Sequence, residues 1–311
     1  MTDTAATPGP ALHLSGLVKR FGEKTAVAGV DLVVPQGSFF GLVGPNGAGK
    51  TTTLSMATGL LRPDAGSAWV HGVDVWANPV AAKAMIGNLA DGVRLFDRLT
   101  GEQLITYTAM MFSLPRTEIA GRVKDLIELM DLGEAAGTIV ADYSAGMTKK
   151  IALACALVHA PRLLVLDEPF ESVDPVSAAN IEDVLRSYTA SGGTIIISSH
   201  AMDLVQRMCD HVAVIAAGRV LAAGTVDEVR GAETLQRTEQ HQHLGGRRRA
   251  ARRRQQGERD ESADEQPLAT EAVTQPRPGD QRDREGQRIG RDDPLQLRAG
   301  GLQIGFDAGQ R

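Results

Sequence analysis

Residues 44–51, Gly44-Pro45-Asn46-Gly47-Ala48-Gly49-Lys50-Thr51, read as a phosphate-binding loop. They fit G-x-x-x-x-G-K-[ST], follow the apolar run Phe39–Val43, and lead into a helix opened by Thr52, Thr53, Leu54 and Met56. Strand, glycine-rich turn and helix, in that order, are the context this motif requires. The glycines let the backbone curl so that successive N–H groups face phosphate oxygens, and the helix N-terminus adds partial positive charge. Lys50 is expected to reach the β- and γ-phosphates, and the Thr51 hydroxyl to ligate Mg²⁺. This specifies a nucleoside triphosphate without choosing among kinases, GTPases and ATPases.

A second stretch narrows the choice. Leu163-Leu164-Val165-Leu166-Asp167-Glu168 is an apolar strand ending in two acids. Ligands of open parallel sheets sit at the carboxyl ends of strands, so both acids should arrive beside the loop. Successive strand residues point to opposite sides, which gives the neighbours separate tasks. Asp167 is expected to hold Mg²⁺, directly or through water, and Glu168 to polarise the water that attacks the γ-phosphate. The pair favours hydrolysis over transfer to a substrate hydroxyl. His200 ends a third such strand, Thr194–Ser198 with its Ser-Ser extension. Its imidazole is placed to hydrogen-bond the γ-phosphate and sense its presence.

Outward from these motifs the chain alternates short apolar strands with amphipathic helices. Phe39–Val43, Leu163–Leu166, Thr194–Ser198 and Val212–Ala216 read as strands buried on both faces. Glu118–Met130 carries Ile119, Val123, Leu126, Ile127 and Met130 at helical spacing. The alternation specifies an α/β fold with a parallel sheet. Leu12–Lys19, Val27–Val34 and Ser67–His71 read instead as an antiparallel layer.

Composition sets the bounds. Of 311 residues, 42% are apolar and 23% charged, which excludes a collagen-like or wholly disordered chain. The formal charge of −5 gives no expectation of nucleic-acid binding. No apolar run reaches the roughly 18 residues that span a bilayer. The N-terminal MTDTAATPGP lacks the basic start and apolar core of a secretory signal. Cys155 and Cys209 have no partner at metal spacing and read as plain thiols of a reducing compartment.

Near residue 231 the composition changes. All seven lysines lie at or before Lys150, whereas 231–311 holds twelve glutamines, fifteen arginines and the run RRRAARRR at 247–254. The first 230 residues carry 18 basic and 24 acidic groups, so the front of the chain is acidic. Little periodic apolar content is left after 230 to offset ordering entropy. Residues 231–311 therefore read as a disordered low-complexity tail, or as a frame-shifted readout of a GC-rich gene. Translating the other frames decides between them.

With these residues in place the chain resembles the nucleotide-binding subunits of ATP-binding-cassette (ABC) transporters over residues 12–230. Lys19-Arg20-Phe21-Gly22 is similar to the family's adenine-stacking loop, with Phe21 as the ring. Tyr143-Ser144-Ala145-Gly146-Met147 stands where the family has Leu-Ser-Gly-Gly-Gln, and Val173-Asp174 resembles its D-loop. Asp91 occupies the family's glutamine position in the Q-loop. The Ser-x-Gly-Met form resembles bacterial ABC-2, exporter-like subunits.

The resemblance implies a P-loop NTPase (RecA-like) core with an antiparallel β subdomain and an inserted α-helical subdomain at about 92–158. A flexible N-terminus (1–11) would precede it and the tail would follow. It implies ATP and Mg²⁺ as ligands, with Asp91 reaching the metal through water. It also implies a transmembrane permease subunit as partner and a second ATP-binding subunit, as a homodimer. The place of work would be cytoplasmic, peripheral on the inner face of the cell membrane. In such a dimer Ser144, Ala145, Gly146 and Asp174 of one copy complete the other copy's ATP site. Tyr143–Met147 equally reads as an ordinary helix N-cap, and both readings hold together. Leu95 and Phe96 read either as a receiver for a membrane-protein helix or as core of the small subdomain. A free-standing ABC ATPase switching a protein or nucleic-acid complex is the alternative function.

Overall fold

The computed structural model describes residues 9–92 and 94–231. The expectation for 231–311 falls, from residue 232 on, outside the described residues, as does most of the expected flexible N-terminus. In chain order the elements are β1 (Leu12–Phe21), β2 (Lys24–Val34), β3 (Phe39–Val43), α1 (Lys50–Ala57), β4 (Ala65–Val70), β5 (Val73–Asp74), α2 (Pro79–Ala84) and β6 (Ile86–Leu89). There follow α3 (Gly101–Met111), α4 (Arg116–Leu129), α5 (Ala145–Leu157), β7 (Leu163–Asp167), α6 (Pro175–Ala190), β8 (Thr194–Ser199), α7 (Met202–Met208), β9 (His211–Ala216) and β10 (Arg219–Thr225).

The strands form two sheets. The small one is antiparallel, in the order β2-β1-β4-β5, and contains all three segments expected for that layer. The large one runs β10-β9-β3-β8-β7-β6, parallel throughout except at the β10 edge. Its strands alternate between two cores. Phe39, Val43, Leu164, Leu166, Ile195 and Ile197 pack with the helices of the inserted segment, while Phe40, Leu42, Leu163, Val165 and Ile196 pack toward the small sheet and α1. That two-sided burial explains why these strands read as unbroken apolar runs.

Strand β6 has no counterpart among the strands read from sequence. Its residues, Ile86-Gly87-Asn88-Leu89, have weak intrinsic strand preference. Pairing with β7, Ile86 against Leu163 and Leu89 against Leu166, creates it. A Cβ at Gly87 would collide with the Ala156 carbonyl, so glycine lets α5 lie directly on this strand. Between β6 and β7 the chain builds the three helices α3 to α5. The expected helix at Glu118–Met130 is α4, entered two residues earlier behind Pro115.

Adjacency in the large sheet positions the chemistry. Strands β3, β8 and β7 are neighbours, with Val43 beside Ser199 and Asp167 beside Ser198. The loop after β3, His200 after β8 and Glu168 after β7 therefore leave the sheet at one edge.

Candidate functional site

The phosphate loop curls as its glycines allow. Gly47 lies at φ +78 and Gly49 at φ +104, left-handed conformations disfavoured for residues with a Cβ. A Cβ at Gly49 would stand 2.6 Å from the Ala26 carbonyl, and one at Gly44 would strike the Ile215 carbonyl. At Gly47 the space is open. Gly49 then caps α1, whose first turn carries Lys50 and Thr51.

A cavity of about 460 Å³ opens over this loop. Phe21, residues 46–52, Asp91, Glu168 and His200 all line it, so most residues expected at the nucleotide share one space. Phe21 is 51% exposed at the end of β1, with the Lys19 ammonium 5.9 Å from its ring centroid. Lys50 is 6% exposed; its ammonium donates to the Gly44 carbonyl at 2.7 Å and lies 3.5 Å from Glu168 Oε1. The other carboxylate oxygen of Glu168 is 3.2 Å from His200 Nδ1. His200 thus meets the acid directly, a contact its position after β8 did not disclose.

Glu168 itself has φ +45, a left-handed backbone for a residue with a side chain. That conformation costs on the order of 1–2 kcal/mol and persists where surrounding contacts over-determine it. Asp167 is buried behind the cavity rather than lining it, and its carboxylate accepts the Ser198 hydroxyl. Ser198, which the sequence marks only as a polar residue closing an apolar strand, also accepts the Glu168 main-chain N–H at 2.9 Å.

The donors at this edge fit a magnesium nucleotide. No cluster of three or more His, Cys, Asp or Glu side chains among the described residues is arranged to hold a metal alone. One exposed hydroxyl, Thr51, and one buried carboxylate, Asp167, suit a cation that keeps waters and phosphate oxygens as its remaining ligands. Asp91 is half-exposed, 3.9 Å from the Lys149 ammonium. It lines this cavity and also a larger one, about 530 Å³, bounded by β6 and α5.

Ser144, Ala145, Gly146 and Asp174 do not line the cavity over the glycine-rich loop. Ser144 and Ala145 are exposed. The Ser144 hydroxyl accepts the Met147 N–H at 3.2 Å and caps α5. The turn before it is held by Tyr143, whose hydroxyl donates to the Ala135 carbonyl at 2.8 Å. Gly146 is buried where α5 meets α6; a Cβ there would stand 2.5 Å from both Asp174 Oδ2 and Ser177 Oγ. The Asp174 carboxylate caps α6, accepting the Val176 and Ser177 N–H groups at 3.1 and 2.9 Å. Hydrogen bonds from the Ser177 backbone and hydroxyl hold its pKa below the ordinary aspartate value.

The larger cavity is lined by Leu95, Phe112, Lys149, Cys155 and His159 among others. The two candidates for a docking role separate here. Leu95 is half-buried and packs on the core, whereas Phe96 is 60% exposed and meets Tyr107 edge-on at 5.4 Å. Both cysteines are free thiols, and burial pushes Cys155 up to about 11, leaving it protonated at neutral pH. No helix among the described residues is long and apolar enough to cross a membrane.

Known proteins are similar to this chain in sequence and fold. The ABC transporter family pattern matches residues 27–171. The daunorubicin resistance ATP-binding protein DrrA3 of Streptomyces coeruleorubidus is 37% identical over 234 residues, covering 75% of this chain and 72% of that protein. The Nod factor export ATP-binding protein I of Ralstonia nicotianae is 37% identical over 220 residues, covering 71% and 68%. A solved ATP-binding subunit of an ABC transporter superposes with a TM-score of 0.67 at 28% identity, covering 72% of this chain and 94% of that one. These likenesses favour a transport subunit over the free-standing switch. The chain belongs to the ABC transporter family, as an ATP-binding subunit that hydrolyses ATP with Mg²⁺ to power transport through a membrane permease.

Proposed function

We propose that this chain powers export through a separate permease by ATP-driven closure of a homodimer, with Glu168 as the general base. The observation that carries the reading is the position of the Glu168 carboxylate. It lies 3.5 Å from the Lys50 ammonium and 3.2 Å from the His200 imidazole, over the same cavity as the phosphate loop. In this reading the domain covers 12–230, with a helical subdomain at about 92–158 and a tail from 231.

The loop N–H groups and Lys50 bind the β- and γ-phosphates, and Phe21 stacks on the base. Thr51 and Asp167 would hold Mg²⁺, with Asp91 acting through water, and the bound cation would supply positive charge against the phosphate oxygens. Glu168 accepts a proton from water as the oxygen attacks the γ-phosphorus. The new P–O bond forms while the bond to the β-bridging oxygen breaks, and ADP leaves with that electron pair. His200 orients Glu168 and contacts the γ-phosphate. Exposed Ser144 and Ala145 support assembly, because the α5 N-terminus is free to complete a second copy's phosphate cage.

The export direction rests on the relatives, which are named for drug resistance and Nod factor export. The site of work is the cytoplasmic face of the membrane. The groove lined by Leu95, with exposed Phe96 next to it in the chain, is the docking place for a permease segment. Glu168→Gln tests the core of the proposal. It should retain ATP, accumulate dimers and lose turnover by about 10²–10⁴-fold. Near-native hydrolysis by that variant removes Glu168 from the role.

A further inference from the structure

One cation beside the catalytic acid has no part in the scheme above. Lys149 lies on α5, in the second turn after the Ser144 cap, and is 20% exposed. Its ammonium donates to the main-chain carbonyl of Glu168 at 3.1 Å and lies 3.9 Å from the Asp91 carboxylate. The same side chain lines the groove between α5 and β6.

The partners of Glu168 show what this contact supports. Its φ of +45 is unfavourable for a residue with a Cβ, so both flanking peptide groups must be held. Ser198 accepts the N–H on one side. On the other, the carbonyl accepts the Glu171 N–H at 3.2 Å together with the Lys149 ammonium. A hydrogen bond from a charged donor is roughly twice as strong as a neutral one, which makes Lys149 the firmer of the two holds on that carbonyl. The chain reverses sharply here, with Ser172 also left-handed at φ +59.

We propose that Lys149 is a positioning residue for ATP hydrolysis. By gripping the Glu168 carbonyl it keeps the catalytic carboxylate aimed between Lys50 and His200, and it ties that carboxylate to the helix that Ser144 caps. The inference rests on the reading of Glu168 as the base. Its consequence is geometric. The α5 N-terminus serves a second copy's nucleotide while Lys149, five residues on, serves the base of its own. Neither shifts along α5 without disturbing the other. Asp91 holds the same ammonium from the groove side, so a segment entering the groove meets this ion pair directly.

The test compares the full-length native chain with Lys149→Met, Lys149→Arg and Glu168→Gln, measuring steady-state ATP turnover, ATP affinity and the thermal midpoint. Lys149→Met keeps the apolar stem and removes the charge. Its kcat should fall about 10- to 100-fold, the cost of a misaimed catalytic group, with ATP affinity within about twofold of native and the midpoint unchanged. Lys149→Arg should recover most of the loss. Native kcat in Lys149→Met overturns the proposal. So does a loss matched by weaker ATP binding or a lower midpoint that Arg does not recover, which marks a plain structural role. If Lys149→Met does not fold, Lys149→Gln is judged by the same criteria, and failure of both to fold also overturns it. Glu168→Gln separates the two readings. Turnover surviving in it defeats the base assignment, whereas an inactive Glu168→Gln beside a fully active Lys149→Met defeats the positioning role alone.

Discussion

The hydroxyl of Ser198 accepts the main-chain N–H of Glu168 at 2.9 Å. The same group donates its proton to the Asp167 carboxylate, so one buried side chain on β8 holds both acids at the end of β7. Ser198→Ala leaves a buried carboxylate and a peptide N–H each one partner short. The expected cost is about 1–3 kcal/mol of stability, read as a lower urea midpoint, together with slower turnover. Native values for both measurements would show that the clamp contributes nothing.

Lys50→Ala removes the buried ammonium from the phosphate loop. Charge-assisted bonds to phosphate are the strong ones, and the lost charge should weaken ATP binding by about tenfold or more. A nucleotide titration that returns the native affinity contradicts the assignment of the loop.

Gly146 and Ala145 are adjacent but should respond to different degrees. A methyl group at Gly146 meets Asp174 and Ser177 at 2.5 Å, both in the N-terminal turn of α6, so Gly146→Ala should destabilise the chain by about 1–3 kcal/mol. Ala145 is exposed, and Ala145→Gly should stay within about 1 kcal/mol of native. Denaturant melts of the two variants make the comparison, and equal midpoints would place Gly146 outside any tight helix contact.

His159 predicts a loss of stability in acid. Burial holds its imidazole down to about 4, from an ordinary 6.5, while its Nε2 lies 3.0 Å from the Ile86 carbonyl and its ring stacks on Phe112 at 3.7 Å. Its Nδ1 is buried without a partner among the described residues. Folded chains keep this ring neutral while unfolded chains protonate it. The stabilisation is therefore complete above 6.5 and is lost as the pH falls toward about 4. His71 is lowered to about 4, chiefly by burial, and acts in the same direction. Unfolding free energies measured across this window should slope upward with pH, and His159→Phe should flatten the slope. An unchanged slope in that variant assigns the acid loss to other groups.

The legible part of the site is the part whose meaning is local. Gly47 and Gly49 announce left-handed turns in their own residue type, and Asp167 and Glu168 announce themselves by ending an apolar strand. Ser198 and Lys149 gave no such signal. Each acts on Glu168 from 30 and 19 residues away, through contacts that exist once β8 lies beside β7 and α5 lies over β6. The family resemblance gives Gly146 a place in a second copy's ATP site. Its burial against α6 adds a packing reason that only the neighbouring helix reveals.

From the sequence alone came the strand-loop-helix cradle, the alternating α/β order and the antiparallel layer, because backbone sterics and hydrophobic period act within a few residues. Tertiary structure alone made Ile86–Leu89 a strand, set Asp167 behind the cavity and put His200 against Glu168. Those outcomes depend on strand order and register between segments distant in the chain. Hydrogen bonds and packing across the assembled sheet decide them, and no local pattern encodes a partner that far away.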